Sequence, residues 1–198
     1  MIRIQVARSG FDKEFGGLLA RAKNPTAMLL ACGRELGNQL KSHFRKKDAA
    51  EPNKLSSRRE HFWLQVSRTV SAPTQSGFNA ISVSINDPRI AQKVFGGTIT
   101  AKRAGALTIP VEEKAYGRTA ATFERETGLK LFLLKSSKGN AVLATKLQGG
   151  GIEVEYLLAK SVTQKADPTA LPDERDLEKA ILARGQAVVD RENQEVKL

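Results

Sequence analysis

The best-defined secondary-structure signal in this sequence is the stretch NPTAMLLACGRELGNQLKSHF at residues 24–44. Asn24 followed by Pro25 favours a helix start, because asparagine caps free backbone N–H groups and proline lacks the N–H that a first turn leaves unpaired. Gly33 and Gly37 lie beside the apolar stripe and would let another backbone approach the helix closely. The stripe itself has the three- and four-residue spacing of a core helix: Leu29, Cys32, Leu36, Leu40 and Phe44.

The segments on either side of this helix give weaker signals. Residues 2–6 alternate apolar and polar side chains, which predicts a short strand, and residues 11–22 predict a helix weakened by two glycines. After Phe44, charged and small residues with Pro52 dissolve the helical pattern, so we expect a long loop at 45–59. Helix is expected to resume within residues 60–70.

The second half of the chain is predicted to consist mainly of strands. Alternating or β-rich segments are separated by glycine-containing turns, which is typical of antiparallel pairing. We expect a single strand at 79–85 and a first hairpin of 98–102 with 106–109, which forms a loop at 98–109. We expect a second hairpin of 129–134 with 140–147, followed by a long strand at 152–162.

The order of elements indicates the fold class. Strands cluster after the helices instead of alternating with them, which favours an α+β fold with N-terminal helices packed on a mainly antiparallel sheet. We expect a core domain at 1–162 and a connector with a C-terminal helical arm at 163–198. The apolar residues of the arm are spaced for a helix at 173–193, which we expect to project and dock on a neighbour or be partly mobile.

Charge is the strongest compositional feature. The chain has 32 Lys and Arg against 21 Asp and Glu, a net charge of +11, and its pI is near 10. Such an excess allows nucleic acid, an acidic protein surface or an anionic membrane as partner, or only a solvated surface. Bases concentrate in residues 41–68 and 89–118, whereas 173–198 carries seven acids and five bases.

Two sets of candidate contact residues follow from these patterns. The basic set is predicted to touch neighbouring subunits or phosphates: Arg45, Lys46, Lys47, Lys54, Arg58, Arg59, Lys102 and Arg103. The apolar set is predicted to make the contacts of the C-terminal arm: Leu177, Ile181, Leu182 and Val188.

No segment of the sequence predicts catalysis. The chain has one cysteine, which excludes an intrachain disulfide and a cysteine-based zinc site. We found no nucleophile, phosphate-loop or paired-histidine motif, so we expect no catalytic residue, no metal and no cofactor. A metal site from His43 and His61 with Asp48 or Glu51 is the weaker alternative. No apolar stretch is long enough to span a bilayer, and we expect a soluble protein without a membrane partner.

Residues 89–110, RIAQKVFGGTITAKRAGALTIP, combine a short helix, Gly-Gly, a basic hairpin and a closing Ile-Pro. This segment resembles the middle of the Mu-like phage virion morphogenesis, or tail-completion, proteins. The resemblance extends over about residues 25–162, with a helix that ends at Phe44, a loop, and Trp63 after that loop.

The resemblance implies a structural phage protein of the tail-completion or head–tail neck type. Such a protein would form an oligomeric ring of identical subunits at the end of the tail tube and lie in the virion after assembly in the bacterial cytoplasm. Its partners would be further copies of itself, tail-tube, tail-terminator or head–tail connector proteins, with non-specific DNA contact left open. The alternative is a basic nucleic-acid-binding protein without catalytic activity.

Overall fold

The computed structural model describes residues 2–5, 10–50, 61–76, 80–102, 104–135 and 141–194. Within these ranges the chain has an α+β fold, as the order of elements predicts. Its helices are Gly10–Arg21 (α1), Pro25–Ala50 (α2), Phe62–Arg68 (α3), Ile90–Phe95 (α4), Ala120–Thr127 (α5) and Glu174–Gln194 (α6). Its strands are Ile2–Gln5 (β1), Thr74–Gln75 (β2), Ile81–Ile85 (β3), Gly97–Thr100 (β4), Leu107–Pro110 (β5), Phe132–Lys135 (β6), Ala141–Lys146 (β7), Ile152–Ala159 (β8) and Ser161–Gln164 (β9).

The described residues form two compact units. Unit 1 contains residues 2–5, 10–50, 61–76, 80–95 and 166–194, and unit 2 contains residues 96–102, 104–135 and 141–165. The chain leaves unit 1 after Phe95 and re-enters it at Ala166. This division differs from the boundary at residue 162 expected from the sequence, because the C-terminal segment packs with the N-terminal helices.

Helix α2 is the centre of unit 1. The Asn24 side chain accepts a hydrogen bond from the Ala27 backbone N–H at 3.0 Å, which confirms the predicted helix start. All five residues of the predicted stripe are almost completely buried in one apolar core that also takes in α3, α6 and β3. On the same helix, Gly33 lies against the side chains of Pro73 and Ile81.

The helix is longer than the sequence pattern predicts. It continues through residues 45–50 to Ala50, so the predicted loop at 45–59 is wrong for its first six residues, and the remainder lies outside the described residues. The segment lacks an apolar stripe, but Arg, Lys and Ala are good helix formers. Lys47 adds a buried anchor within this last part of the helix.

The C-terminal segment is helical as predicted, but it is not a projecting arm. Helix α6 packs on α1 and α2, and Gly185 allows this approach, since a Cβ there would lie 2.9 Å from Met28 Cε. The four predicted arm contacts therefore face the core of their own chain. Leu177 and Ile181 are buried in it, and Leu182 and Val188 pack partly buried against it. The imperfect stripe misled the sequence analysis because Ala and Gly positions in it make close helix packing possible.

Unit 1 also contains a small antiparallel sheet in the order β1-β3-β2. The central strand β3 is buried along most of its length and lies against α2. The sheet and the helices α2, α3 and α6 thus share a single core.

Unit 2 is built on a four-stranded antiparallel sheet in the order β5-β8-β7-β6, with a separate two-stranded pair of β4 and β9. The predicted hairpin of 129–134 with 140–147 is confirmed by the pairing of β6 and β7. The predicted hairpin within 98–109 is wrong. Strand β4 pairs with β9 and strand β5 pairs with β8, so both arms find their partners in residues 152–164, which offer two successive strands.

One face of the four-stranded sheet is packed by α5 and a short 3-10 turn at Glu113–Ala115. The packed residues are Ala115, Phe123 and Tyr156, and the Tyr156 hydroxyl donates to the backbone oxygens of Ala115 and Arg118 at 3.3 and 3.2 Å. The Thr119 side chain caps α5 by accepting from the Thr122 N–H.

Candidate assembly surface

The predicted basic contact residues fall into three groups in the structure. Arg45, Lys46 and Lys102 are exposed, and their role as contacts to subunits or phosphates stays a prediction. Lys47 is buried and its ammonium group is already engaged. The other four, Lys54, Arg58, Arg59 and Arg103, lie outside the described residues.

Lys47 fastens the chain that returns from unit 2 onto helix α2. Its ammonium group lies 3.1 Å from the Asp167 carboxylate, donates to the Thr169 hydroxyl at 2.6 Å, and sits 5.0 Å above the centre of the Trp63 ring. Partial burial acts to raise the pKa of Asp167, but hydrogen bonds from Thr169 and Lys47 outweigh it and hold that pKa below its ordinary value. Lys47 is therefore a structural anchor and is not available to an external anion.

The two histidines serve separate contacts at the same end of α2. The ring of His43 lies 3.0 Å from the Thr169 backbone oxygen, and burial lowers its pKa despite this contact. The ring of His61 lies 2.9 Å from the Asp48 carboxylate. Among the described residues no three His, Cys, Asp or Glu side chains are grouped as metal ligands.

Cys32 belongs to the core, as the apolar stripe predicts. It is 1% exposed, and burial is the main cause that raises the pKa of its thiol to about 11. A thiol in this environment is almost entirely protonated at neutral pH and is a poor nucleophile.

The described part of unit 2 contains a buried charged cluster. The Glu155 carboxylate is completely buried, and it accepts hydrogen bonds from the Thr145 hydroxyl at 2.7 Å and from the Lys114 ammonium group at 2.8 Å. Lys114 also pairs with Glu153. Partial burial acts to lower the pKa of Lys114, but its two carboxylate partners outweigh this and raise it.

A β-bulge in β8 places this cluster. Leu143 pairs with Tyr156 but the next residue of β7, Ala144, pairs with Val154, so Glu155 is the extra residue. The bulge brings Glu155 to the Tyr156 side of the sheet, where Lys114 and Thr145 meet it. The second oxygen of Glu155 has no partner among the described residues, so the hydrogen bonding of this buried cluster is incomplete there.

The two units differ sharply in how well they bury their apolar side chains. The described part of unit 2 contains 20 Val, Leu, Ile, Phe and Tyr residues, of which only Phe123 and Tyr156 are buried. Unit 1, by contrast, has a continuous core of 20 buried residues. Of the seven exposed large hydrophobic residues in the described chain, six belong to unit 2: Ile99, Val111, Leu133, Leu147, Ile152 and Leu157.

Two of these six side chains, Ile152 and Leu157, lie on the sheet face opposite to α5, whereas Leu133 pairs with Leu143 and lies on the packed side. Residues paired across neighbouring strands lie on the same face, and successive residues of a strand alternate between faces. By this rule Leu157, which follows Tyr156, points away from the packed side. The same face carries the residues in register with Leu157 or with Val154, and we call this set the apolar face: Ile109, Phe132, Leu134, Val142, Ala144, Ile152, Val154 and Leu157.

The apolar face is only partly covered. Leu157, near its middle, is 43% exposed, and Ile152 is 56% exposed. At the sides of this sheet, β5 and β6 are the edge strands, and each has four residues. Unpaired edges and a contiguous apolar face are the features by which sheets join other chains.

Sequence reasoning missed the apolar face because of the bulge. A regular alternation put Ile152, Val154 and Tyr156 on one side of the last long strand. In the structure, Tyr156 lies on the packed side and Val154 on the opposite side, because Glu155 shifts the register. The available signal was the run Tyr156-Leu157-Leu158, in which apolar residues occupy consecutive positions of a strand and so both faces.

None of the helices in the described ranges has the length and apolar character needed to cross a membrane. A scan against protein-family models, a search of curated proteins and a search of solved structures each found no match to this chain.

Proposed function

We propose that the chain is a non-catalytic structural subunit that assembles with copies of itself through unit 2. The assembly would be a ring of the phage tail-completion or head–tail neck type, at the end of the tail tube. The specific setting rests on the resemblance of residues 89–110, which run from helix α4 through β4 to the end of β5.

The observation that carries the proposal is the poor burial of apolar side chains in unit 2. Small units need most of their apolar surface buried to offset the conformational entropy lost on folding. The described part of unit 2 has abundant large apolar residues, yet it buries only two of them completely. A second copy seated on the apolar face would supply the missing burial.

The edges of the same sheet favour identical copies over an unrelated partner. Strands β5 and β6 lie at opposite sides and are equal in length, so the edge of one copy matches the edge of the next. Contacts between two different patches of one chain are head-to-tail, and such contacts close into rings when the rotation permits. Pro110 has no N–H to donate, which restricts pairing to the earlier part of β5.

The other members of the proposed assembly are tail-tube, tail-terminator or head–tail connector proteins. The protein would be part of the virion and would assemble in the cytoplasm of the bacterial host. A nucleic-acid-binding protein is the competing candidate, and the exposed charges of Arg45, Lys46 and Lys102 favour it. Phe44, which precedes Arg45, is completely buried, and Lys46 and Lys102 have no aromatic neighbour in sequence, so stacking on bases has no support there.

Native mass spectrometry on the wild-type chain and on Leu157→Lys tests the proposal. Covering the exposed part of Leu157 contributes roughly 1 kcal/mol, and a lysine there would bury an unpaired charge as well, so we expect at least about a tenfold weaker self-association. The matched control is Phe95→Lys, which changes the most exposed large hydrophobic residue, 72% exposed and outside unit 2.

A defined oligomer that is lost in Leu157→Lys and retained in Phe95→Lys supports the proposal. A wild-type chain that stays monomeric at tens of micromolar, and binds duplex DNA below one micromolar at physiological salt, contradicts it. Equal loss in both variants would remove the assignment to the apolar face.

A further inference from the structure

Helix α2 carries a groove that the packing of unit 1 leaves empty. The groove has a volume of about 440 Å³ and lies between the helix and residues 71–73. Helix α2 has two glycines four residues apart, Gly33 and Gly37, and the space around their Cα atoms differs. A Cβ on Gly33 would lie 2.6 Å from Pro73 Cβ, whereas a Cβ on Gly37 would meet no atom within 4 Å.

The fold requires a residue without a side chain at position 33, but it does not require one at position 37. At Gly33 the missing side chain admits the 71–73 segment. A glycine inside a helix destabilises it by roughly 1 kcal/mol relative to alanine, and at Gly37 no close contact with a described residue explains that cost. Gly37 itself is buried, and the absence of a side chain there leaves open space on the groove side of the helix.

The walls of the groove specify an anionic occupant. Arg34 and Lys41 flank Gly37, seven residues and about 10.5 Å apart along the helix axis, with the Asn38 amide between them. Neither cation has a salt-bridge partner among the described residues, and no acidic residue lines the groove. Leu30 and Pro73 add apolar surface. The groove thus suits a segment that combines carboxylates with an apolar side chain.

One described segment of the chain has this composition. Val111 is an exposed large hydrophobic residue, and it is followed by Glu112 and Glu113, which are both exposed. The two carboxylates have no hydrogen-bond or salt-bridge partner within the described residues. Ile152 is the other exposed apolar residue followed by an acid, but its neighbour Glu153 is paired with Lys114.

We propose that residues 111–113 of one copy dock in the α2 groove of the next copy, with Glu112 and Glu113 against Arg34 and Lys41 and Val111 on the apolar wall. The inference rests on the proposed self-assembly and identifies two different patches that meet. Such a contact is head-to-tail, as a closed ring requires. Because the contact is largely ionic at an exposed site, added salt weakens the association.

Charge reversal and charge exchange test the contact by sedimentation velocity across a concentration series. Arg34→Glu/Lys41→Glu and Glu112→Arg/Glu113→Arg are each expected to raise the dissociation constant roughly tenfold or more. The variant that combines all four substitutions restores opposite charges and is expected to regain most of the wild-type association. The control Arg68→Glu/Lys179→Glu reverses two exposed bases of unit 1 that lie outside the groove and outside the predicted contact sets, and it should leave association near wild type.

The possible outcomes separate the inference from the proposed function. A wild-type oligomer that both double variants leave unchanged overturns the groove contact and retains the assembly. Weakening in both double variants without recovery in the four-substitution variant overturns the pairing of these patches. If Arg34→Glu/Lys41→Glu loses only binding to a short DNA duplex, the groove is a nucleic-acid site and the inference is wrong. A monomeric wild type overturns both proposals.

Discussion

Gly33 and Gly37 provide a sharp test of how helix α2 is packed, because alanine at each position should change stability in opposite directions. At Gly33 the added methyl group would lie 2.6 Å from Pro73 Cβ and 2.7 Å from Ile81 Cγ1. The proline ring is rigid, and Ile81 belongs to the buried strand β3, so relief of these contacts needs a backbone shift at Pro73 or a rotamer change of Ile81 inside the core. At Gly37 the methyl group meets nothing within 4 Å.

The two effects can be estimated separately. Replacement of glycine by alanine in a helix stabilises it by about 1 kcal/mol. Overpacking of a core costs typically 1–3 kcal/mol, and contacts this short favour the upper part of that range. We therefore expect Gly33→Ala to lower the free energy of unfolding of unit 1 by about 1–2 kcal/mol. Gly37→Ala is expected to raise it by about 0.5–1 kcal/mol.

Urea denaturation followed by tryptophan fluorescence measures this difference. The chain has one tryptophan, Trp63, which is 5% exposed and stacks on Phe44 with ring centres 5.9 Å apart, so its emission reports on the core of unit 1. With a slope of about 2 kcal/mol per molar urea, the two midpoints should differ by roughly 1 M. Equal midpoints, or a more stable Gly33→Ala, would refute the close approach of residues 73 and 81 to the helix.

Further predictions concern other contacts. Gly185→Ala should change the stability of unit 1 by less than Gly33→Ala, since its closest neighbour at 2.9 Å is the flexible end of Met28; urea midpoints compare the two, and an equal or larger loss would contradict this reading. The pKa of Asp167 is lowered in the fold, so its contribution to stability is present above the unfolded pKa of about 3.9 and is lost as pH falls through the folded pKa. With Asp167→Asn, the free energy of unfolding should therefore fall less steeply between pH 6 and pH 2 than in the wild type. An unchanged pH dependence would count against the Lys47 anchor. Lys114→Met leaves the buried Glu155 uncompensated and should destabilise unit 2 by about 2–3 kcal/mol, whereas Lys114→Met/Glu155→Met should be nearly neutral; amide exchange of β8 measures both, and additive losses would exclude the coupling.

The sequence predicted the core of unit 1 well because one helix dominates it. The stripe of residues 29–44 repeats at helical spacing, and the start at Asn24 uses a side chain that can only cap from that position. The predicted end near residue 44 was wrong because helix propensity continues through charged residues that contribute no apolar periodicity. Periodicity detects buried faces and does not detect an exposed helical turn.

The strand pairing and the assembly surface could not be predicted from local patterns. Residues 98–109 contain glycine-rich turn signals, yet their strands pair with β8 and β9, more than 40 residues away in the chain. Which strands pair over long distances in the chain depends on all the strands that compete as partners. The local spacing of apolar residues contains no information on that competition. Glu155 is the extra residue of a bulge, after which residues of β8 point to the opposite face from the one that regular alternation predicts. Leu157 therefore lies on the same face as Ile152 and Val154.

Local sequence also did not predict which of the basic side chains would be buried. Arg45, Lys46 and Lys47 are consecutive and indistinguishable by composition. Only Lys47 falls on the face of α2 that meets the returning chain at Asp167, so it became an anchor while its two neighbours stayed exposed. The cations of the α2 groove, Arg34 and Lys41, were not distinguished as a pair because the groove depends on the position of residues 71–73.

The central claim is that unit 2 becomes covered when copies of the chain assemble. Amide hydrogen exchange of the wild-type chain at low and high micromolar concentration tests it most directly. We predict that amides of the edge strands β5 and β6 exchange more slowly at the higher concentration, while those of β3 in the core of unit 1 do not change. Exchange in unit 2 that is independent of concentration, in a chain whose mass remains that of one copy, would contradict it.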